Sequence, residues 1–110
     1  SLDGKIVEDF DLKKSKKGIR VKNISSSQIK PAAPGNVVYA GSGLRGYGNL
    51  VIIKHSDNML SAYANNKEII VEVGQSVSQN DAISRLDKNQ IIYFEIRRDG
   101  SPVDPLRYLK

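Results

Sequence analysis

The chain has 110 residues, 39% of them hydrophobic and 26% charged, with a formal net charge of +5. That is enough for one core, and at a mean hydropathy of −0.39 no apolar run reaches membrane-spanning length. The absence of cysteine excludes disulfides and thiolate metal sites, and a lone histidine, His55, excludes a two-histidine zinc site. The positive charge permits an acidic or polyanionic partner and selects none.

Gly4–Phe10 predicts a short strand with Ile6 and Phe10 as core contacts. Lys13, Lys14, Lys16 and Lys17 read as a solvated loop closed by Gly18. Ile19–Lys22 then alternates as a strand, with Ile19 and Val21 inward and Arg20 and Lys22 outward. Residues 23–27 form a polar loop, and Gln28–Lys30 is extended ahead of Pro31. The turn Pro34-Gly35 introduces a strand over Asn36–Ala40. Gly41, Gly43, Gly46 and Gly48 punctuate the next loop, which carries Leu44, Arg45 and Tyr47. With no GxGxxG, no Gly-Lys-Ser/Thr and no following helix, they read as turn devices and not as a phosphate cradle.

Leu50–His55 is a buried strand, and Ser56–Asn58 turns the chain into Met59–Asn65. The small residues Ser61, Ala62 and Ala64 predict close packing there. Ile69–Val73 is a short apolar run, and Val77 and Ile83 plug the core from the looping unit that follows. Asn80 is the expected site of a left-handed backbone.

Asn89–Arg98 organises the rest. Leu86–Asn89 leads into it by a tight connection. With alternation of period about 2, Ile92, Phe94 and Ile96 form a core face. Ile91, Tyr93, Glu95 and Arg97 form a ledge, with successive members roughly 6–7 Å apart. Asp99-Gly100-Ser101-Pro102 closes the strand, and Asp104 before Pro105 predicts an N-capped helical turn. Strands recur without any amphipathic helix of three turns, which predicts an all-β sandwich or barrel with only short helical turns.

Taken together, the segments Gly35–Gly41, Gly46–His55, Ser61–Ala64, Val73–Val77, Phe94–Arg97 and Gly100–Pro105 resemble the lysostaphin/LytM-type zinc endopeptidases of peptidoglycan. The resemblance runs from Gly4 to Leu109. It implies an antiparallel LytM-type barrel-sandwich hybrid, here one domain over residues 1–110, expected to be cut from a longer protein.

The resemblance also implies which positions would hold zinc. Active members use a His-x-Gly-x-Asp-like segment, a histidine after Tyr-Ala and a closing His-x-His. The corresponding residues here are Lys16 or Lys17, Arg20, Asn65, Ile91 and Tyr93. None is a zinc ligand of the family, so neither metal nor cofactor is expected. Isoleucine has no lone pair, and Lys and Arg bring positive charge to a cation's place. His55 falls at a turn position and replaces no ligand. Arg20 and Asn65 read as fillers of the vacated site, and Glu95 as a residue that orients Arg97 or Arg20.

The chain thus is similar to degenerate LytM domains of the NlpD/EnvC amidase-activator kind. That implies a periplasmic protein that is not an enzyme. Its former active-site groove would grip the regulatory helix of a zinc-dependent peptidoglycan amidase. The groove-lining candidates are Tyr93, Arg97, Tyr47, Arg45 and Lys17, facing the Lys16–Arg20 and Asn65 positions. The alternative is a peptidoglycan-binding module without an activator role; neither nucleic acid nor a membrane-embedded domain is expected. An active metallohydrolase is disfavoured by the lost ligands. A lipoyl-type carrier is disfavoured because Lys88 follows the unit Val73–Ile83 where a carrier lysine would precede it.

Overall fold

The structure, a computed structural model, describes residues 2–109. Its strands are β1 (Gly4–Glu8), β2 (Ile19–Asn23), β3 (Gln28–Ile29), β4 (Gly35–Gly41), β5 (Asn49–Lys54) and β6 (Met59–Asn66). They continue with β7 (Glu68–Ile69), β8 (Ser76–Val77), β9 (Ser84–Arg85), β10 (Ile91–Arg98) and β11 (Ser101–Val103). Every pairing is antiparallel. The large sheet runs β1-β2-β10-β6-β5-β4-β8 with β11 also on β10, and a small sheet runs β3-β9-β7. Two 3-10 turns, Leu12–Lys14 and Pro105–Arg107, are the helical elements among the described residues. This is the expected all-β architecture.

β10 holds the large sheet together. Its first half pairs with β2 (Tyr93 opposite Arg20), its length from Tyr93 onward pairs with β6, and its end pairs with β11. The β10–β11 hairpin is made by Asp99 and Gly100, both left-handed at φ 50° and 82°, the combination that matches the twist of antiparallel strands. Ile92, Phe94 and Ile96 are buried as the alternation requires. They join Ile19, Val37, Val51, Ile53, Tyr63 and Ile83 in one core. The Phe94 ring lies 5.1 Å from that of Tyr63.

A chain of hydrogen bonds fixes the far side of this core. Ala32 N–H donates to the Tyr63 hydroxyl, which stands 2.8 Å from Ser61 Oγ. His55 joins Ser61 Oγ through Nε2 and the Pro34 carbonyl through Nδ1, each at 2.7 Å. The single histidine is therefore a structural strut between β5, β6 and the turn before β4.

Four expectations need correction. Ile6 is 38% exposed and no core residue, because β1 is the edge of its sheet and half-covered at best. The lysine run is not a loose loop. Asp11 caps the turn Leu12–Lys14 and exchanges two backbone bonds with Lys16, so Lys16 and Lys17 are returned to the start of β2. Asn23, expected in a polar loop, ends β2 fully buried, its amide donating to the carbonyls of Ser26 and Asp87. Asn80 is not left-handed; it sits in a turn closed by Asp81 N–H on the Ser78 carbonyl, whereas Asn65 and Asn89 are left-handed, at φ 64° and 66°.

Candidate functional site

The ledge of β10 opens into a cleft of about 650 Å³. Tyr93 stands at its centre, paired across the sheet with Arg20 on β2 and with Ala64 on β6. The wall beyond β6 is the Gly-rich loop, carrying Arg45, Gly46, Tyr47 and Gly48. Asn65 ties that wall down: its backbone N–H donates to the Tyr47 carbonyl, and its Nδ2 donates to the Ile91 carbonyl at 2.6 Å. The left-handed turn at Asn65 makes both contacts possible, and asparagine tolerates that conformation better than most residues. The opposite wall is Lys16, Lys17 and Glu8.

The aromatic corner is preorganised. Tyr47 and Tyr93 face each other at 6.3 Å with an interplanar angle of 52°. The Arg20 guanidinium lies over the Tyr93 ring, 5.1 Å from its centroid. Gly18 makes room beneath: a Cβ there would stand 2.8 Å from Tyr93 Cζ and 2.4 Å from the Phe94 carbonyl. The Tyr93 hydroxyl donates to Glu95 at 2.6 Å, and Arg97 Nε donates to the other carboxylate oxygen. Glu95 is only 6% exposed, so both partners are needed to satisfy it.

Of the candidate residues, Tyr93, Tyr47, Arg45, Lys17, Lys16, Arg20 and Asn65 all line the cleft. Arg97 and Ile91 do not. Arg97 lies beyond it and is held by Glu95, and Ile91 is 42% exposed on the strand's other end, contributing only its carbonyl. Arg20 is also beside Tyr93 on the neighbouring strand and not across a groove from it. Glu95 bonds Arg97; Arg20 pairs instead with Glu8 at 3.4 Å, and Lys16 meets the same carboxylate at 3.3 Å. Glu8 was missed because only the β1–β2 register, which sets Glu8 opposite Arg20, brings it into the cleft.

Burial, the bond to Glu95 and that residue's negative charge push the Tyr93 hydroxyl far above the ordinary phenol range. Burial likewise raises Tyr63. A phenol whose folded pKa exceeds its unfolded value contributes stability that is complete below about pH 10 and is lost as pH rises toward the folded value. Two of the five tyrosines are therefore expected to resist ionisation, and the melting temperature is expected to fall above about pH 10. Phenolate absorbance followed through an alkaline titration checks this. Five phenols ionising together at the ordinary value, with no loss of folding, would contradict it.

Zinc does not fit these donors. Both carboxylates are committed, Glu8 to Lys16 and Arg20 and Glu95 to Tyr93 and Arg97. The Tyr93 oxygen is held as a hydroxyl, and His55 is engaged elsewhere in the fold. Among the described residues no three His, Cys, Asp or Glu side chains are grouped to hold a metal ion.

A LytM-type β fold with this cleft defines the class, and the sequence matches Peptidase family M23 over residues 14–105; the chain belongs to that family. It is 46% identical over 97 residues to the lipoprotein NlpD/LppB homolog of Pseudomonas aeruginosa, covering 84% of this chain and 33% of the relative. It is 44% identical over 112 residues to the murein hydrolase activator NlpD of Salmonella typhimurium, covering 97% and 30%. The chain thus spans about a third of the length of these curated relatives. In structure it resembles lysostaphin, with a TM-score of 0.80 at 16% identity over 96% of this chain and 50% of that one, a likeness of fold alone.

Proposed function

We propose that this chain is the LytM domain of a non-catalytic activator of a periplasmic peptidoglycan (N-acetylmuramoyl-L-alanine) amidase. Its former active-site cleft would bind the amidase's regulatory helix. The observation that carries this reading is the pair at the cleft's centre. A guanidinium over a phenol ring occupies the cross-strand positions where active members of the family are expected to hold their aspartate and a histidine. A cleft so filled offers no Lewis acid or general base, but it does offer aromatic area and cationic hydrogen-bond donors, the residue types that anchor helix-in-groove contacts.

The relatives' names support the same reading. One is called a murein hydrolase activator and another a lipoprotein, which suits a protein of the Gram-negative envelope. No described helix is long and apolar enough to cross a membrane. Mechanistically the activator works by population shift. It binds the amidase with its helix displaced more tightly than the closed form, and the surplus affinity sets the extent of activation.

The test is amidase activity on purified sacculi with and without the chain, with zinc content measured on metal-supplemented protein. The expected result is no cleavage by the chain alone, no stoichiometric zinc, and stimulation of an amidase that depends on its helix. Near one zinc per chain together with peptide cross-link cleavage would overturn the reading. Tight binding to sacculi with no effect on any amidase would favour a plain peptidoglycan-binding module instead.

A further inference from the structure

We infer that the cleft selects an acidic segment, one that sets carboxylates against Lys17 and Arg45 on either side of the Tyr47–Tyr93 corner. This deepens the activator reading and rests on it: the occupant is the acidic face of the amidase's regulatory helix.

The argument begins with charge accounting. Four cations line the cleft, Lys16, Lys17, Arg20 and Arg45, against two carboxylates, Glu8 and Glu95. Neither carboxylate is free to neutralise more. Glu8 is shared by Lys16 and Arg20, and buried Glu95 is occupied by Tyr93 and Arg97. Lys17 and Arg45 are both exposed and make no ion pair among the described residues. With Glu95 matched by Arg97 from outside the cleft, the four lining cations face only Glu8, a surplus of three positive charges. Lys17 and Arg45 present two of these with no acidic partner among the described residues.

Their placement gives the surplus a shape. Lys17 enters from the wall before β2, and Arg45 from the loop beyond β6, with Tyr93 on β10 between those strands. Both rings line the cleft with the two cations; Arg20 covers Tyr93, which leaves the Tyr47 ring as the surface offered to an apolar side chain. Tyr47 is 38% exposed, so it is open to contact without further movement. On a helix, residues three and four apart share a face with about 5–6 Å between Cβ atoms. An acidic residue on each side of an apolar one, all on one face, therefore matches the cation–aromatic–cation order. An arginine that finds a carboxylate can bond it through two parallel N–H groups, which adds register as well as attraction.

The experiment is titration calorimetry of the chain against each N-acetylmuramoyl-L-alanine amidase encoded alongside it, at low and high salt. The variant is Lys17→Glu with Arg45→Glu, and the partner variant carries lysine at the helix's acidic positions. Double reversal is expected to weaken binding by at least about tenfold and to remove most of its salt dependence. The charge-swapped amidase is expected to bind the reversed chain better than the parent. Both positions are exposed, and a thermal melt confirms folding; were it to drop, Lys17→Gln with Arg45→Gln tests the same loss. If the reversed chain binds like the parent while Tyr47→Ala with Tyr93→Ala abolishes binding, the cleft is used without regard to charge. This inference then falls and the activator reading stands. If the parent binds no amidase but binds sacculi through Lys17 and Arg45, the carboxylates are those of stem peptides, and both fall.

Discussion

Phe94→Ala is expected to lower the stability of this chain by roughly 3–5 kcal/mol, enough to lose a large part of a small domain's margin. The ring is 8% exposed and packed at 5.1 Å against Tyr63. It sits in the one strand that pairs with β2, β6 and β11, so the surroundings cannot collapse into the cavity without disturbing three ladders. Tyr63 would also lose the neighbour that holds it in line with Ser61 and Ala32. Denaturant unfolding measures the effect directly. A loss no larger than that of an exposed substitution on the same strand, such as Arg98→Ala, would show that the faces of β10 are assigned wrongly.

Arg97→Glu is expected to be nearly as damaging, which alternation along the strand does not suggest. From the ledge alone, Arg97 reads as a groove residue whose reversal leaves the melt unchanged. In the fold its Nε donates to Glu95, a carboxylate 6% exposed, and that contact holds the arginine's own pKa up. Replacing the guanidinium by a second carboxylate strips a buried charge of its partner and adds repulsion, at a cost of about 3 kcal/mol. Tyr93 would follow, because its hydroxyl shares the same carboxylate. Amidase stimulation should then fall together with the melting temperature. Combining Glu95→Gln with Arg97→Gln removes both charges and should recover most of the stability. A thermal melt of Arg97→Glu indistinguishable from the parent's would show that Glu95 does not depend on Arg97.

The backbone of this architecture was legible because its signals are local. Alternation at Ile92, Phe94 and Ile96 is set by the strand's own pleat, so burial followed from spacing. Asp99-Gly100 and Asp104-Pro105 each encode a turn or cap within a few residues, and both appear as expected. The resemblance to the LytM family brought Tyr93, Arg20, Asn65 and the Gly-rich loop to one place before any coordinates did so.

Long-range geometry was not legible. Residues 91, 93, 95 and 97 share a face, but from end to end they span about 20 Å of strand, more than the cleft covers. Only Tyr93 and Glu95 fall within it, and Ile91 and Arg97 are left outside. In sequence Glu95 reads as a residue that orients Arg97 or Arg20, and the bond to Arg97 is there. Nothing local signals that Glu95 is buried. It becomes a buried hub because β10 lies between flanking strands, with Tyr93 and Arg97 close on either side. Glu8 entered the site through register, and Ile6 left the core because β1 is the edge of its sheet, with no strand on its outer side among the described residues. Asparagine offers the left-handed conformation at any position, but only a tertiary bond decides which one uses it. Asn65 does, since Tyr47 and Ile91 wait on either side of it, and Asn80 has no such partners. The sequence thus determined which side chains the strands present. Which of them meet depended on strand order and register, contacts that no residue's near neighbours encode.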